Sequence, residues 1–140
     1  MLIGIVDTLV ELPRDHASVP DLRVLLDRLV TSLRELQKQD GHWSWVLPMT
    51  DERSDASATA FIAYALSRAR QLGLTGPDMD ETLDRAASAL AGSRLKNGLY
   101  TGGSGECLGV NKYAPDFGSS HWLQAMSEAF LLVNSSHTGI

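Results

Sequence analysis

Gly41-His42-Trp43-Ser44-Trp45 sets two indoles in one short turn, the first place in this chain where side-chain chemistry invites a ligand. Aromatic carbons cover the apolar face of a sugar ring well, yet a Trp after Gly in a turn serves equally as a plug for the end of a helical bundle. Ser57 stands at a helix start, where a hydroxyl either meets a ligand or caps and packs. His121-Trp122 lies at a loop-to-helix junction, which makes His121 a candidate pocket residue, with a capped helix start as the plainer reading. Asn111-Lys112-Tyr113 falls in a Gly-rich loop, where Lys112 is either a binding residue or an ordinary exposed lysine. The candidate binding residues are therefore Trp43, Ser57, Lys112 and His121.

Other reactive types lack the company their chemistry needs. Asp51, Glu52, Arg53 and Asp55 imitate a paired-carboxylate site, but Pro48 and the density of charge fit a solvated turn. His16, His42, His121 and His137 have neither the i, i+4 spacing nor neighbouring ligands for zinc, so no metal site is expected. Gly102-Gly103-Ser104-Gly105 has no preceding strand and no following Lys-Ser or Lys-Thr, and reads as a flexible loop rather than a phosphate cradle. Cys107 has no adjacent base and is expected to be a buried or half-buried thiol. No catalytic residue and no cofactor is assigned.

The elements that must position these residues are helices. Leu2, Ile5, Val6, Leu9 and Leu12 share one helical face that Pro13 ends; this helix opens on Met1 without a cap, which suggests that chain precedes it or that the start is misplaced. A second helix begins near Pro20 and carries Leu22, Leu25, Leu26, Leu29, Leu33 and Leu36. A third runs from about Ser57 to Leu72 with Ala58, Phe61, Ile62, Ala65, Leu66 and Ala69 inward. The fourth starts at Asp78 and ends before Asn97-Gly98. The fifth spans roughly Ser119 to Val133, with Trp122, Ala125, Met126, Ala129, Phe130 and Val133 on one side. No stretch reads as a strand. Gly41-His42-Trp43 and Gly98-Leu99-Tyr100 follow the second and fourth helices in the same relative place, an internal repeat of stacked helical hairpins. In such an array helices two and four lie outside, and one, three and five line the centre. Five helices cannot close a ring, so an apolar edge is left open, to be exposed or covered by a second copy.

These motifs resemble the unsaturated glucuronyl and rhamnogalacturonyl hydrolases of glycoside hydrolase families 88 and 105. Gln39-Asp40-Gly41-His42-Trp43-Ser44-Trp45-Val46-Leu47 is similar to that family's Gln-x-x-Gly-x-Trp turn. Asp55-Ala56-Ser57-Ala58-Thr59-Ala60 resembles its Glu-Thr-Ser-x-x-Ala helix, with Asp for Glu and Ala for Thr. Thr101 to Gly109, Phe117-Gly118-Ser119-Ser120 and Gln124 to Glu128 resemble its last loop and helix. The resemblance implies an all-α fold, an incomplete α/α toroid of about five helices from a double ring of six hairpins. It implies hydration of the 4,5 double bond of a terminal unsaturated uronic acid, in which an Asp protonates the enol ether and a water adds. That Asp, its partner acid and the pocket's His, Arg and Trp belong to family segments that precede the helix matching Leu2 to Leu12. The expectation is the C-terminal portion of such an enzyme, inactive alone, whose partner is an oligosaccharide ending in an unsaturated uronic acid. A non-catalytic helical-repeat module that binds carbohydrate or protein is the alternative. A terpene cyclase shares the Gln-x-x-Gly-x-Trp turn, but its Asp-rich motif is absent.

Length and charge agree with this frame. The 140 residues suit one domain, residues 1–140, and 44% hydrophobic with 21% charged residues is ordinary globular usage. A net charge of -5 offers no basic stripe for nucleic acid or an anionic membrane. The apolar run Met1 to Val6 is far shorter than the roughly 20 residues needed to cross a bilayer. One cysteine excludes an internal disulfide, and a cytoplasmic location is expected.

Overall fold

The apolar spacing folds into five α-helices among residues 1–105 and 116–135, the part of the chain that the computed structural model describes. Helix α1 (Leu2–Glu11) buries Ile5 and Val6 and has no side-chain cap at Met1. Helix α2 (Val19–Glu35) carries Pro in its first turn and buries Leu26 and Leu33. Helix α3 (Ala56–Gln71) buries Ala56, Thr59, Ala60, Ala63, Ala65, Leu66, Ser67 and Ala69. A helix buried around most of its circumference belongs in the middle of a layer, and small side chains let its neighbours come close. α1 and α5 (His121–Ser135) both lie against α3. α2 packs on α1, and α4 (Asp80–Gly92) packs on α3 and α5. The expected inner layer of helices one, three and five and outer layer of two and four are thus present, as an arc of two layers.

One core unites Leu33, Trp43, Ala60, Leu66, Leu83, Leu90, Tyr100, Leu123 and Phe130, and a second joins Ile5, Val6, Leu26 and Ala69. Ion pairs stitch the helices at the surface. Arg68 reaches Asp7 of α1 at 3.0 Å, Arg70 reaches Asp80 of α4 at 3.0 Å, and Arg34 meets Asp78. Such exposed pairs contribute little energy each.

Several boundaries differ from expectation for local reasons. α3 starts one residue early because Asp55, rather than Ser57, is its cap. The fourth helix is split: a 3-10 turn (Pro77–Met79) buries Met79 before α4 begins. α5 starts at His121 because the Ser120 hydroxyl accepts the Leu123 N–H at 3.1 Å, while Ser119 turns away to donate to Tyr100 O at 2.6 Å.

The sequence predicts no strand, yet two antiparallel ladders of two residues each form. β1 (Trp43–Ser44) pairs with β2 (Ser54–Asp55), and β3 (Gly103–Ser104) with β4 (Phe117–Gly118). Two residues are too few to leave an alternating pattern in a sequence. Residues 102–105 are correspondingly not the flexible loop expected: Gly102 O accepts from Ala56 N at 3.0 Å, and Gly105 N donates to Asp116 O at 2.9 Å.

The internal repeat is literal at the level of hydrogen bonds. Asp40 Oδ1 accepts from His42 N at 3.0 Å as Asn97 Oδ1 does from Leu99 N at 3.1 Å. Lys38 N donates to His42 O as Leu95 N donates to Leu99 O. Gly41 and Gly98 hold φ of 85° and 88°, a left-handed conformation that glycine adopts without strain. Each turn ends by burying an aromatic ring, Trp43 or Tyr100. The N–H of that residue then bonds the fourth residue of the next inner helix, Thr59 Oγ1 at 3.0 Å or Gln124 Oε1 at 2.8 Å.

Candidate functional site

The two ladders and the N-terminal ends of α3 and α5 come together around one carboxylate. Asp55 Oδ1 accepts from Ser57 N at 2.8 Å, Ser57 Oγ at 2.7 Å, Ala58 N at 3.3 Å and Ser104 N at 3.1 Å. Its Oδ2 accepts from Ser104 Oγ at 2.7 Å. At 4% exposure Asp55 is no part of a solvated turn, which corrects the expectation for residues 51 to 55; Asp51, Glu52 and Arg53 are exposed as expected. A buried carboxylate needs hydrogen-bond donors, and here they are two backbone N–H groups at the start of α3, the Ser104 N–H and two hydroxyls. Asp55 is consequently a brace that pins β3 to α3. Gly103 completes the join, because a Cβ there would stand 3.1 Å from both Ser57 Cβ and Leu123 Cδ2.

Beside this brace opens a cleft of about 630 Å³, lined by Ser57, Phe61, Ser104, Gly105, Ser120, His121 and Trp122. Ser57 and His121, two of the four candidates, share it. Trp122 is 72% exposed and Phe61 is also exposed, so neither belongs to the buried stripe in which periodicity put them. α5 instead turns Leu123, Ser127 and Phe130 inward, which swings the adjacent Trp122 onto the open side. No Asp or Glu is among these lining residues.

The other candidates lie elsewhere. Trp43 is fully buried in the core, and its indole N–H donates to Leu33 O at 2.7 Å. Its ring is the plug at the end of the bundle, and the expectation that it stacks on a sugar is corrected: no face of the ring is open. Lys112 and Cys107 lie outside the described residues.

A second constellation imitates catalysis more closely. His42 Nε2 is 3.1 Å from Ser93 Oγ, and His42 Nδ1 is 3.5 Å from Asp40 Oδ1, the order of a serine-hydrolase triad. Ser93, however, is the C-cap of α4, and its hydroxyl bonds Ala89 O at 3.2 Å. Carbonyl oxygens crowd that end of a helix, so no N–H donors await an oxyanion. The group is a tie between the α2 turn and α4. Burial opposes ionisation of Asp40, but the Ser54 hydroxyl, the His42 N–H and the nearby His42 and Lys38 outweigh it and hold the carboxyl below its ordinary value. Burial, assisted by Glu128 and opposed by Arg94, pushes the Tyr100 phenol up. Among the described residues no group of three His, Cys, Asp or Glu side chains is placed to hold a metal.

Sequence reasoning missed Trp122, Phe61 and Ser104 as cleft residues and Asp55 as their support. The signal available for Trp122 was its place next to His121 at the helix start; for Ser104 there was none.

The family model of Glycosyl Hydrolase Family 88 matches residues 1–122. Protein Atu3128 of Agrobacterium fabrum is 37% identical over 95 residues, 65% of this chain and 40% of that protein. A crystal structure of a possible member of glycoside hydrolase family 105 from Klebsiella pneumoniae superposes with a TM-score of 0.85 at 24% identity, over 98% of this chain and 37% of that one. A glycosyl hydrolase family 88 structure from Bacteroides vulgatus gives a TM-score of 0.79 at 15% identity, over 97% and 40%. At such identity the structures establish the fold, an arc of an α/α toroid. This chain spans about two fifths of the length of each of these proteins.

Proposed function

The chain belongs to Glycosyl Hydrolase Family 88, and on that premise we propose that its residues form one wall of the saccharide site of an unsaturated-uronyl hydrolase and leave the proton-donating acid to polypeptide beyond them. The observation that carries this reading is the makeup of the cleft. An exposed indole, Trp122, offers the flat apolar surface that a sugar ring covers, with Phe61 beside it. Ser57, Ser104, Ser120 and His121 provide donors and acceptors for hydroxyl groups around that surface. Such a wall binds and orients a sugar.

Among its described lining residues there is no carboxylic acid. Hydration of a 4,5-unsaturated uronide needs a carboxylic acid to deliver a proton to the enol ether and an oriented water to add. Asp55, the carboxylate next to the cleft, is buried and holds the Ser57 and Ser104 donors together. The reading therefore joins a binding surface to a chain that spans about two fifths of its relatives' length.

The test is an ultraviolet assay for loss of the vinyl-ether chromophore of an unsaturated uronyl disaccharide, run beside a calorimetric titration of the same sugar. The chain alone is expected to bind the disaccharide without turning it over, and Trp122→Ala to weaken binding by about tenfold, the effect of removing one stacked aromatic surface. Turnover by the chain alone would place the acid within these residues and end the proposal, as would failure to bind.

A further inference from the structure

Arg53 lies in the strap between β1 and β2, its guanidinium carbon 3.9 Å from the centroid of the Phe117 ring. That ring meets Trp45 edge-on, with centroids 5.9 Å apart. The strap's backbone is fixed at this point too, since Arg53 O accepts from Trp45 N at 3.2 Å. Asp51 and Glu52 are its neighbours in sequence, yet no carboxylate among the described residues is paired with Arg53. An exposed arginine ordinarily wanders or finds an acid; this one sits over an aromatic ring. That contact restrains the guanidinium, whose planar N–H fork is the geometry that suits a carboxylate.

Its position relates it to the cleft. Phe117 is the cross-strand partner of Ser104, and Ser104 lines the cleft. Arg53 also stands two residues before Asp55, which binds both Ser104 and Ser57 of the cleft wall. Among the described residues the wall itself offers aromatic carbon and hydroxyls but no permanent cation. A carboxylate-bearing saccharide that extends from Trp122 past Ser104 would run toward the guanidinium over Phe117.

We infer that Arg53, seated on Phe117, reads a carboxylate of the bound saccharide and sets the preference of this site for acidic over neutral sugars. The inference rests on the saccharide-site reading of the cleft and adds a specificity-determining residue to it.

Calorimetric titration of the chain with 4,5-unsaturated digalacturonate and with its dimethyl ester separates the two. The wild-type chain should bind the acid about tenfold more tightly than the ester, the effect of one bidentate charged contact. Arg53→Met keeps the apolar contact with Phe117 and should bring the two affinities together while leaving that of the ester within about twofold. Arg53→Lys, which keeps the charge but loses the planar fork, should fall between. An acid-to-ester ratio unchanged in Arg53→Met overturns the inference and spares the saccharide site. Binding of neither sugar by the wild-type chain removes the site and the inference together.

Discussion

Asp55 shows how one residue serves several elements at once. Its Oδ1 satisfies the first N–H groups of α3, and its Oδ2 takes the Ser104 hydroxyl, so a single side chain closes a helix end and docks a ladder. Removing it would leave the helix start uncapped and strand the Ser104 donors in a half-buried place. Asp55→Ala should lower unfolding free energy by about 2–4 kcal/mol in chemical denaturation, the combined scale of a lost cap and lost charged hydrogen bonds. Asp55→Asn should cost less, since it keeps a carbonyl oxygen for the cap and its amide can donate to Ser104. Equal losses for the two variants would refute the bracing role. From the sequence, the place of Asp55 before a helix of small residues was legible, but its second partner was not, because Ser104 is far along the chain. Trp43 teaches the converse. Its type and turn were read correctly as notable, and burial decided between plug and platform.

At the scale of elements, the repeated turn sets the spacing of the hairpins. Gly41 and Gly98 share a conformation but not an environment. A Cβ on Gly41 would stand 2.3 Å from Arg85 O, whereas one on Gly98 would meet nothing closer than Arg94 Nη2 at 3.8 Å. Gly98→Ala should therefore cost only the left-handed penalty, about 1–2 kcal/mol. Gly41→Ala must also push α4 away from the turn and should cost at least about 3 kcal/mol, or abolish cooperative folding. Melting both variants beside the wild type checks this, and equal effects would contradict the close approach of the first turn to α4. The repeat was visible in the sequence because its Gly-x-aromatic steps are local. The ladders that accompany it were not, since each joins two residues across a loop. The faces of Phe61 and Trp122 were misjudged for a related reason. Periodicity defines an apolar stripe, but only the neighbours of α3 and α5 decide which part of that stripe is covered.

At the scale of the whole molecule, an arc of five helices has two sides where a closed ring would have none. Val10 of α1, Val24 and Leu25 of α2 and Leu132 of α5 are exposed, the last at 69%. We propose that copies of the chain associate through these apolar positions. Sedimentation equilibrium should give an apparent mass that rises above 15.2 kDa with concentration, and Leu132→Glu should reduce that rise while leaving helical circular dichroism unchanged. A monomeric mass at every concentration would refute the association. Among the described residues no helix is long and apolar enough to cross a membrane.

The sequence by itself determined the helical class, the number and order of the helices, their division into inner and outer layers, and the family. Each of these is written in short-range periodicity and local turn chemistry, which a linear reading can follow. Only the tertiary structure decided that Asp55 is a buried brace and no part of a solvated turn, that Trp43 is core, that Trp122 is exposed and that Arg53 sits over Phe117. Those outcomes depend on which distant segments meet. A side chain's role follows from the dielectric, partners and exposure it finds there, and none of these is a property of its neighbours in sequence.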